Sequence, residues 1–140
     1  MQVVIIYESL TGNTERAARL IADAFFDRGV ASKIFPVGAA DPQAISSADL
    51  VIAGSWTDGL FVVGQKPAKR KKFAQLPELS NKRCVVFCTY ALDPGKTLDK
   101  LSAVLSKNGA DVLGGMAIKR SNLADDANEF VERVMQLAPA

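Results

Sequence analysis

Short runs of β-branched residues alternate with stretches of helical periodicity along the whole chain, and this alternation most constrains the fold. Val3 to Tyr7 predicts a strand. Ala17, Leu20, Ile21, Ala24 and Phe25 then recur at helical spacing, and Gly29 follows as a stop. The pattern repeats: a strand from Ser32 to Val37, a short helical turn from Pro42 to Ser46, a strand from Leu50 to Gly54 and a helix from Lys66 to Ala74. It closes with a strand from Cys84 to Thr89, a helix on Leu98, Leu101, Val104 and Leu105, a strand from Val112 to Ile118, and a final stripe on Leu123, Ala127, Phe130, Val131 and Val134. Continuously apolar strands separated by amphipathic helices imply an α/β fold, an open doubly wound parallel sheet of five strands covered on both faces. No repeat, linker or low-complexity stretch interrupts it, so residues 1–140 read as one domain. Ligands of such sheets sit outside the strand carboxyl ends where strand order reverses. The segments after Tyr7, Gly54 and Thr89 are therefore where function is expected.

What is missing narrows the chemistry. The chain has no histidine, which removes Ser-His-Asp and Cys-His catalysis, histidine zinc sites and histidine proton shuttles. Activity has to come from carboxylates, hydroxyls, the backbone or a borrowed cofactor. Cys84 and Cys88 are the only cysteines, four apart in an apolar run, a spacing that suits neither metal binding nor C-x-x-C redox chemistry. They read as two buried thiols in a reducing compartment. With 49% apolar and 23% charged residues the chain is not disordered. No apolar run reaches the roughly 18 residues of a membrane span, and Met1 leads into Val3 without a signal-peptide pattern. The expectation is a soluble cytoplasmic protein without a membrane role.

The segment Tyr7-Glu8-Ser9-Leu10-Thr11-Gly12-Asn13-Thr14 carries the densest set of donors. A helix beginning inside it offers unpaired N–H groups and a positive dipole end, suited to phosphate. Ser9, Thr11 and Thr14 add hydroxyls, Asn13 an amide, and Gly12 allows close backbone approach. No Lys or Arg stands in the loop, so it would hold phosphate by neutral dipoles; the plainer alternative is a Thr/Asn helix cap. Here the chain resembles the flavodoxin family, whose phosphate loop has the form T/S-x-T-G-x-T. Ser9 to Thr14 matches every fixed position, and Leu10 occupies the variable one. The resemblance spans essentially the whole chain. It implies the strand order 2-1-3-4-5 and non-covalently bound FMN.

By the same resemblance, Ser55, Trp56, Thr57, Asp58 and Gly59 correspond to the flavin loop, with Asp58-Gly59 as the flexible peptide beside the flavin N5 and Trp56 or Phe61 as a stacking wall. The alternative is a core tryptophan followed by an ordinary Asp-Gly turn. Thr89, Tyr90, Ala91 and Gly95 would wrap the other side of the ring, Tyr90 by stacking and Ala91 through its backbone amide. Electron-carrying flavodoxins usually place a stacking Tyr a few residues further on, where this chain has Asp93-Pro94.

Two other motifs fall short. Pro94-Gly95-Lys96-Thr97 looks like half a Walker loop, but Tyr90 stands where its first Gly is needed. A receiver-domain Mg²⁺ site needs clustered acids that Glu8 and Ser55 do not provide. Residues 66–83 hold seven basic residues against Glu78 alone, a net +6 in a chain of net +2. Such a run is either a solvated face or a patch that steers an acidic partner, or a phosphorylated one such as NADPH. With one cluster and no interleaved aromatics, nucleic acid is not expected. The reading that follows is an FMN-binding electron-transfer flavoprotein shuttling electrons between redox partner proteins, as a monomer or weak dimer. The alternative is an FMN-dependent NAD(P)H:quinone or flavin reductase, for which Gly64-Gln65 bears some likeness; a flavin-free scaffold is the third class.

Overall fold

A computed structural model describes residues 1–60 and 63–138. Five parallel strands, β1 (Val3–Tyr7), β2 (Ser32–Pro36), β3 (Leu50–Leu60), β5 (Arg83–Tyr90) and β6 (Asp111–Lys119), line up in the order β2-β1-β3-β5-β6. This is the 2-1-3-4-5 order once the parallel strands alone are counted. The sixth, β4 (Val63–Pro67), pairs antiparallel with the far end of β3. Helices α1 (Asn13–Asp27), α2 (Pro42–Ser47), α3 (Arg70–Ala74), α4 (Thr97–Lys107) and α5 (Leu123–Leu137) complete the fold.

Each side of the sheet has its own core. Ile5, Ile52, Val85 and Phe87 pack with Ala17, Ile21 and Phe25 of α1 and Phe130, Val131 and Val134 of α5. Ile6, Val51, Ala53, Cys84 and Val86 pack with Ile45 of α2, Phe73 of α3 and Leu101 and Leu105 of α4. Successive strand residues thus feed opposite cores, which is why the strands are apolar throughout and do not alternate. Helix α1 ends where Gly29 takes φ 78; its N–H donates to Phe26 O and that of Val30 to Phe25 O, each at 2.9 Å. That pair of bonds closes the helix and lets buried Val30 enter β2.

The structure departs from the sequence reading at three elements. β2 stops at Pro36, and Val37 opens a 3₁₀ turn instead of ending the strand. β3 runs six residues past Gly54, through the segment read as a loop. The expected helix from Lys66 forms only over Arg70–Ala74, because Lys66 and Pro67 are held in the β3–β4 ladder. A run of lysines has helix propensity but no apolar stripe to bury, and the ladder supplies backbone partners that an isolated turn lacks.

Candidate functional site

The reversal of strand order lies between β1 and β3, and the chain is stitched across it by Glu8 N–H donating to Gly54 O at 3.0 Å. From there the backbone turns into α1 at Gly12, which takes φ 96, a left-handed conformation that a side chain would strain. The Gly12 N–H donates to Ser9 Oγ at 3.1 Å, and Asn13 Nδ2 donates to Thr11 Oγ1 at 3.3 Å. No side chain among the described residues caps the helix start. The first-turn N–H groups of a 15-residue helix, with the positive end of its dipole, are left open at the carboxyl end of β1.

Beneath this opening the polar groups are already engaged. Thr14 and Thr89, both buried, share a hydroxyl hydrogen bond of 2.8 Å that joins α1 to the end of β5. Tyr7 donates its hydroxyl to Glu15 Oε1 at 2.8 Å, and Arg19 pairs with the same carboxylate at 3.5 Å. Burial, and then the Glu15 acceptor, hold the Tyr7 hydroxyl above its usual pKa. The one acid in the first turn of α1 is thus countered by a hydroxyl and a guanidinium.

The second segment is a strand. Thr57 pairs with Pro67, Asp58 with Lys66 and Leu60 with Val63; the register slips between the last two pairs, opposite Gly64 at φ 75. Gly59 therefore falls at the irregularity of the hairpin, between the Asp58 and Leu60 pairs. Buried Ser55 donates its hydroxyl to Ala68 O at 2.8 Å, while Ala68 N–H donates to Trp56 O at 3.0 Å, so Ser55 works as a strut holding the return of the hairpin. Phe61 lies outside the described residues. Trp56 Nε1 and Thr97 Oγ1 are buried and make no hydrogen bond among the described residues. Such orphaned groups cost free energy unless water or a ligand meets them. Cys88 lies beside Thr57; burial pushes its thiol up to about 12, against the opposing pull of a side-chain hydrogen bond with Thr57. Cys84 is likewise pushed up to about 12 by burial and then by Asp111.

The third segment folds against the second. Asp93 Oδ1 accepts the Gly95 N–H at 2.9 Å, and Pro94 O accepts that of Thr97 at 3.1 Å, leading into α4. A Cβ on Gly95 would stand 2.7 Å from Gln65 Cβ, so only glycine lets this turn meet β4. Lys100 donates to Gln65 O at 2.8 Å, tying α4 to the same strand. Tyr90 is half-buried and Ala91 exposed.

The three segments are therefore joined in pairs: the first to the second by Glu8 and Gly54, the first to the third by Thr14 and Thr89, the second to the third by Gln65 and Gly95. Thr14, Thr89, Ser55 and Gly95 are tied into the frame, while Thr11 is exposed and Asn13 half-buried at the opening. Sequence reasoning missed Lys100 and gave Tyr7, Glu15 and Gln65 no structural role at the site, naming Gln65 only for its likeness to the reductases. Only Tyr7 and Glu15 carried a signal, since a strand's last residue and a helix's first turn meet across one loop. The basic run also divides. Lys82 donates to Ser46 O and Ala48 O at 2.6 and 2.8 Å, at the amino end of β5. Lys66, Lys69, Arg70, Lys71 and Lys72 stay near the site; Lys72 lies 3.8 Å from Glu8.

A family model described as a flavodoxin domain matches residues 4–136. The chain belongs to the flavodoxin family. Flavodoxin 2 from Bacillus cereus superposes with a TM-score of 0.71 at 22% identity, over 95% of this chain and 99% of that one. The flavodoxin of Streptococcus pneumonia TIGR4 gives 0.69 at 22%, over 96% and 99%. Two-electron reduced Megasphaera elsdenii flavodoxin gives 0.69 at 22%, over 91% and 98%. At such identities these likenesses show the fold. No curated protein matches the chain. As a flavodoxin-family member it is an FMN-binding electron-transfer flavoprotein. Its residues fit that cofactor, with an uncapped helix start for a phosphate and buried polar atoms lacking protein partners beside the ring segments. No helix among the described residues is long and apolar enough to cross a membrane.

Proposed function

We propose that this domain, residues 1–140, carries single electrons between redox partner proteins in the cytoplasm, with FMN held at the carboxyl ends of β1, β3 and β5. The uncapped start of α1 at the strand-order reversal carries this reading. The open N–H groups of the first turn, with Ser9, Leu10, Thr11, Gly12, Asn13 and Thr14, would hold the phosphate. Ser55 to Gly59 and Thr89, Tyr90, Ala91 and Gly95 would frame the ring. When bound, FMN supplies the redox chemistry; the chain's own work is to orient it, exclude water from one side and set the polarity of approach. Asp58 is paired with Lys66 in the β3–β4 ladder and Gly59 falls at its register shift, so the backbone beside the ring would be anchored on the Asp58 side. The basic residues around α3 favour an acidic redox protein, or an NAD(P)H-dependent one, as partner.

The test is an absorbance spectrum of purified protein before and after excess FMN and desalting. One flavin retained per chain is expected, with reduction in two separable one-electron stages and no turnover of NAD(P)H by the protein alone. A chain that takes up no FMN overturns the reading; multiple turnover of NAD(P)H with a quinone moves it to the reductase.

A further inference from the structure

We propose that the carboxyl-end face of the sheet is a docking surface with an apolar centre and a basic flank, made for a redox protein with an acidic rim. This deepens the electron-carrier reading and rests on it. Among the described residues four large apolar side chains are exposed, and two of them, Leu10 at 72% and Leu92 at 79%, stand on the segments that leave β1 and β5. An exposed leucine costs little singly, but two on the segments that leave the strands on either side of β3, over a cofactor site, leave apolar surface for a partner to cover.

Charge beside them is one-sided. Lys66, Lys69, Arg70, Lys71 and Lys96 are exposed and join no ion pair among the described residues. Of the acids on the same segments, Glu8 faces Lys72 at 3.8 Å, while Asp58, Asp93 and Asp99 join no ion pair among the described residues, so the five unpaired cations outnumber the unpaired acids. The corner is also held in shape. Lys69 takes φ 54 at the start of α3, Ser55 pins Ala68, and Lys100 pins Gln65, so the cations project from a braced segment. A fixed positive flank steers a negative partner and orients it, and the apolar centre then excludes water between the redox groups.

The FMN-loaded protein, photoreduced anaerobically with a sacrificial donor, would be mixed in a stopped-flow instrument with ferric cytochrome b5, an acidic haem protein. One electron leaves the reduced holoprotein and the ferric haem becomes ferrous. The rate should fall roughly tenfold or more between about 20 and about 300 mM salt. With ferric cytochrome c, which is basic, it should rise or stay flat. The variant K66Q/K69N/R70Q/K71Q should be slow with cytochrome b5 at low salt and insensitive to salt. Leu92→Ser should slow cytochrome b5 severalfold while leaving oxidation by benzoquinone, small and uncharged, unchanged. A salt-independent rate with cytochrome b5, or a charge variant as fast as the parent, overturns the surface. Protein that takes up no FMN removes the reading and the surface together, whereas a flavin-loaded protein without salt dependence removes only the surface.

Discussion

The segment after β1 and the segment after Gly54 lie side by side, bonded from Glu8 to Gly54, yet they are built on opposite plans. The first leaves its backbone donors open: a glycine at φ 96, no cap, short side chains turned on one another. The second closes its backbone into a ladder with β4 and spends Ser55 on a strut. One rim of the site is prepared for a ligand by what it leaves unbonded, the other by what it holds still. Their neighbours differ in kind too. Buried hydroxyls stand under the first rim at Tyr7, Thr14 and Thr89, and a buried thiol stands under the second at Cys88.

Alkaline pH should expose that difference most strongly. Burial favours the protonated thiol, so Cys84 and Cys88 contribute stability that is full below pH 9, their ordinary value, and lost as pH rises toward 12. The loss approaches about 4 kcal/mol per thiol at the alkaline limit. Tyr7 has the same sign from pH 10 upward, through a hydroxyl on the other rim. Urea unfolding between pH 8 and 11 should show a steady fall in the parent. A Cys84→Ala/Cys88→Ala variant, less stable at pH 8, should lose little more until Tyr7 titrates. An unchanged slope in that variant would return the pH dependence to the β1 side.

The two rims meet at Gly54, and there the tolerance for added volume is smallest. A Cβ would stand 2.0–2.4 Å from the Phe87 ring, which is fully buried and packed edge-on against Phe130 at 5.8 Å between centroids. Gly54→Ala should cost about 3 kcal/mol or leave the chain unfolded. Gly38→Ala, with nothing within 4 Å of its new methyl, should change stability by well under 1 kcal/mol in the same urea titrations. Equal costs would mean that the junction is plastic and that the rims do not depend on it.

How these regions could be foreseen differs for physical reasons. The parallel sheet and the donor-rich turn were legible because apolar periodicity and Ser9-Leu10-Thr11-Gly12-Asn13-Thr14 are local signals, while the strand order came only with the family resemblance. The extension of β3 was not. Ser55-Trp56-Thr57-Asp58-Gly59 has the composition of a turn, and it becomes strand because Val63–Pro67 returns alongside it. Thr14 and Thr89, 75 residues apart, showed as donors in sequence, but only folding reveals that they satisfy one another. Their bond is the next place to test. Thr14→Val or Thr89→Val should cost about 1–3 kcal/mol, since each leaves a buried hydroxyl alone. The double variant should cost less than the sum, and thermal unfolding of all four proteins gives the coupling. If Thr14→Val also weakens FMN binding and Thr89→Val does not, the hydroxyl of Thr14 serves the ligand as well as the frame.

The weakest link between the rims is the one that looks most electrostatic. Lys72 on α3 reaches Glu8 at 3.8 Å, with the lysine side chain 48% exposed and the glutamate 15%. At that distance and exposure, screening and the entropy of a long side chain leave little net gain, and Lys72→Gln should cost no more than about 0.5 kcal/mol. The value should shrink further in high salt, where the 2.8 Å bond of Thr14 to Thr89 is untouched. A cost above 1 kcal/mol that persists in salt would mean that Glu8 needs a cation to stay beneath the loop. The open rim would then be held by charge after all, and its contrast with the laddered rim would narrow to the backbone alone.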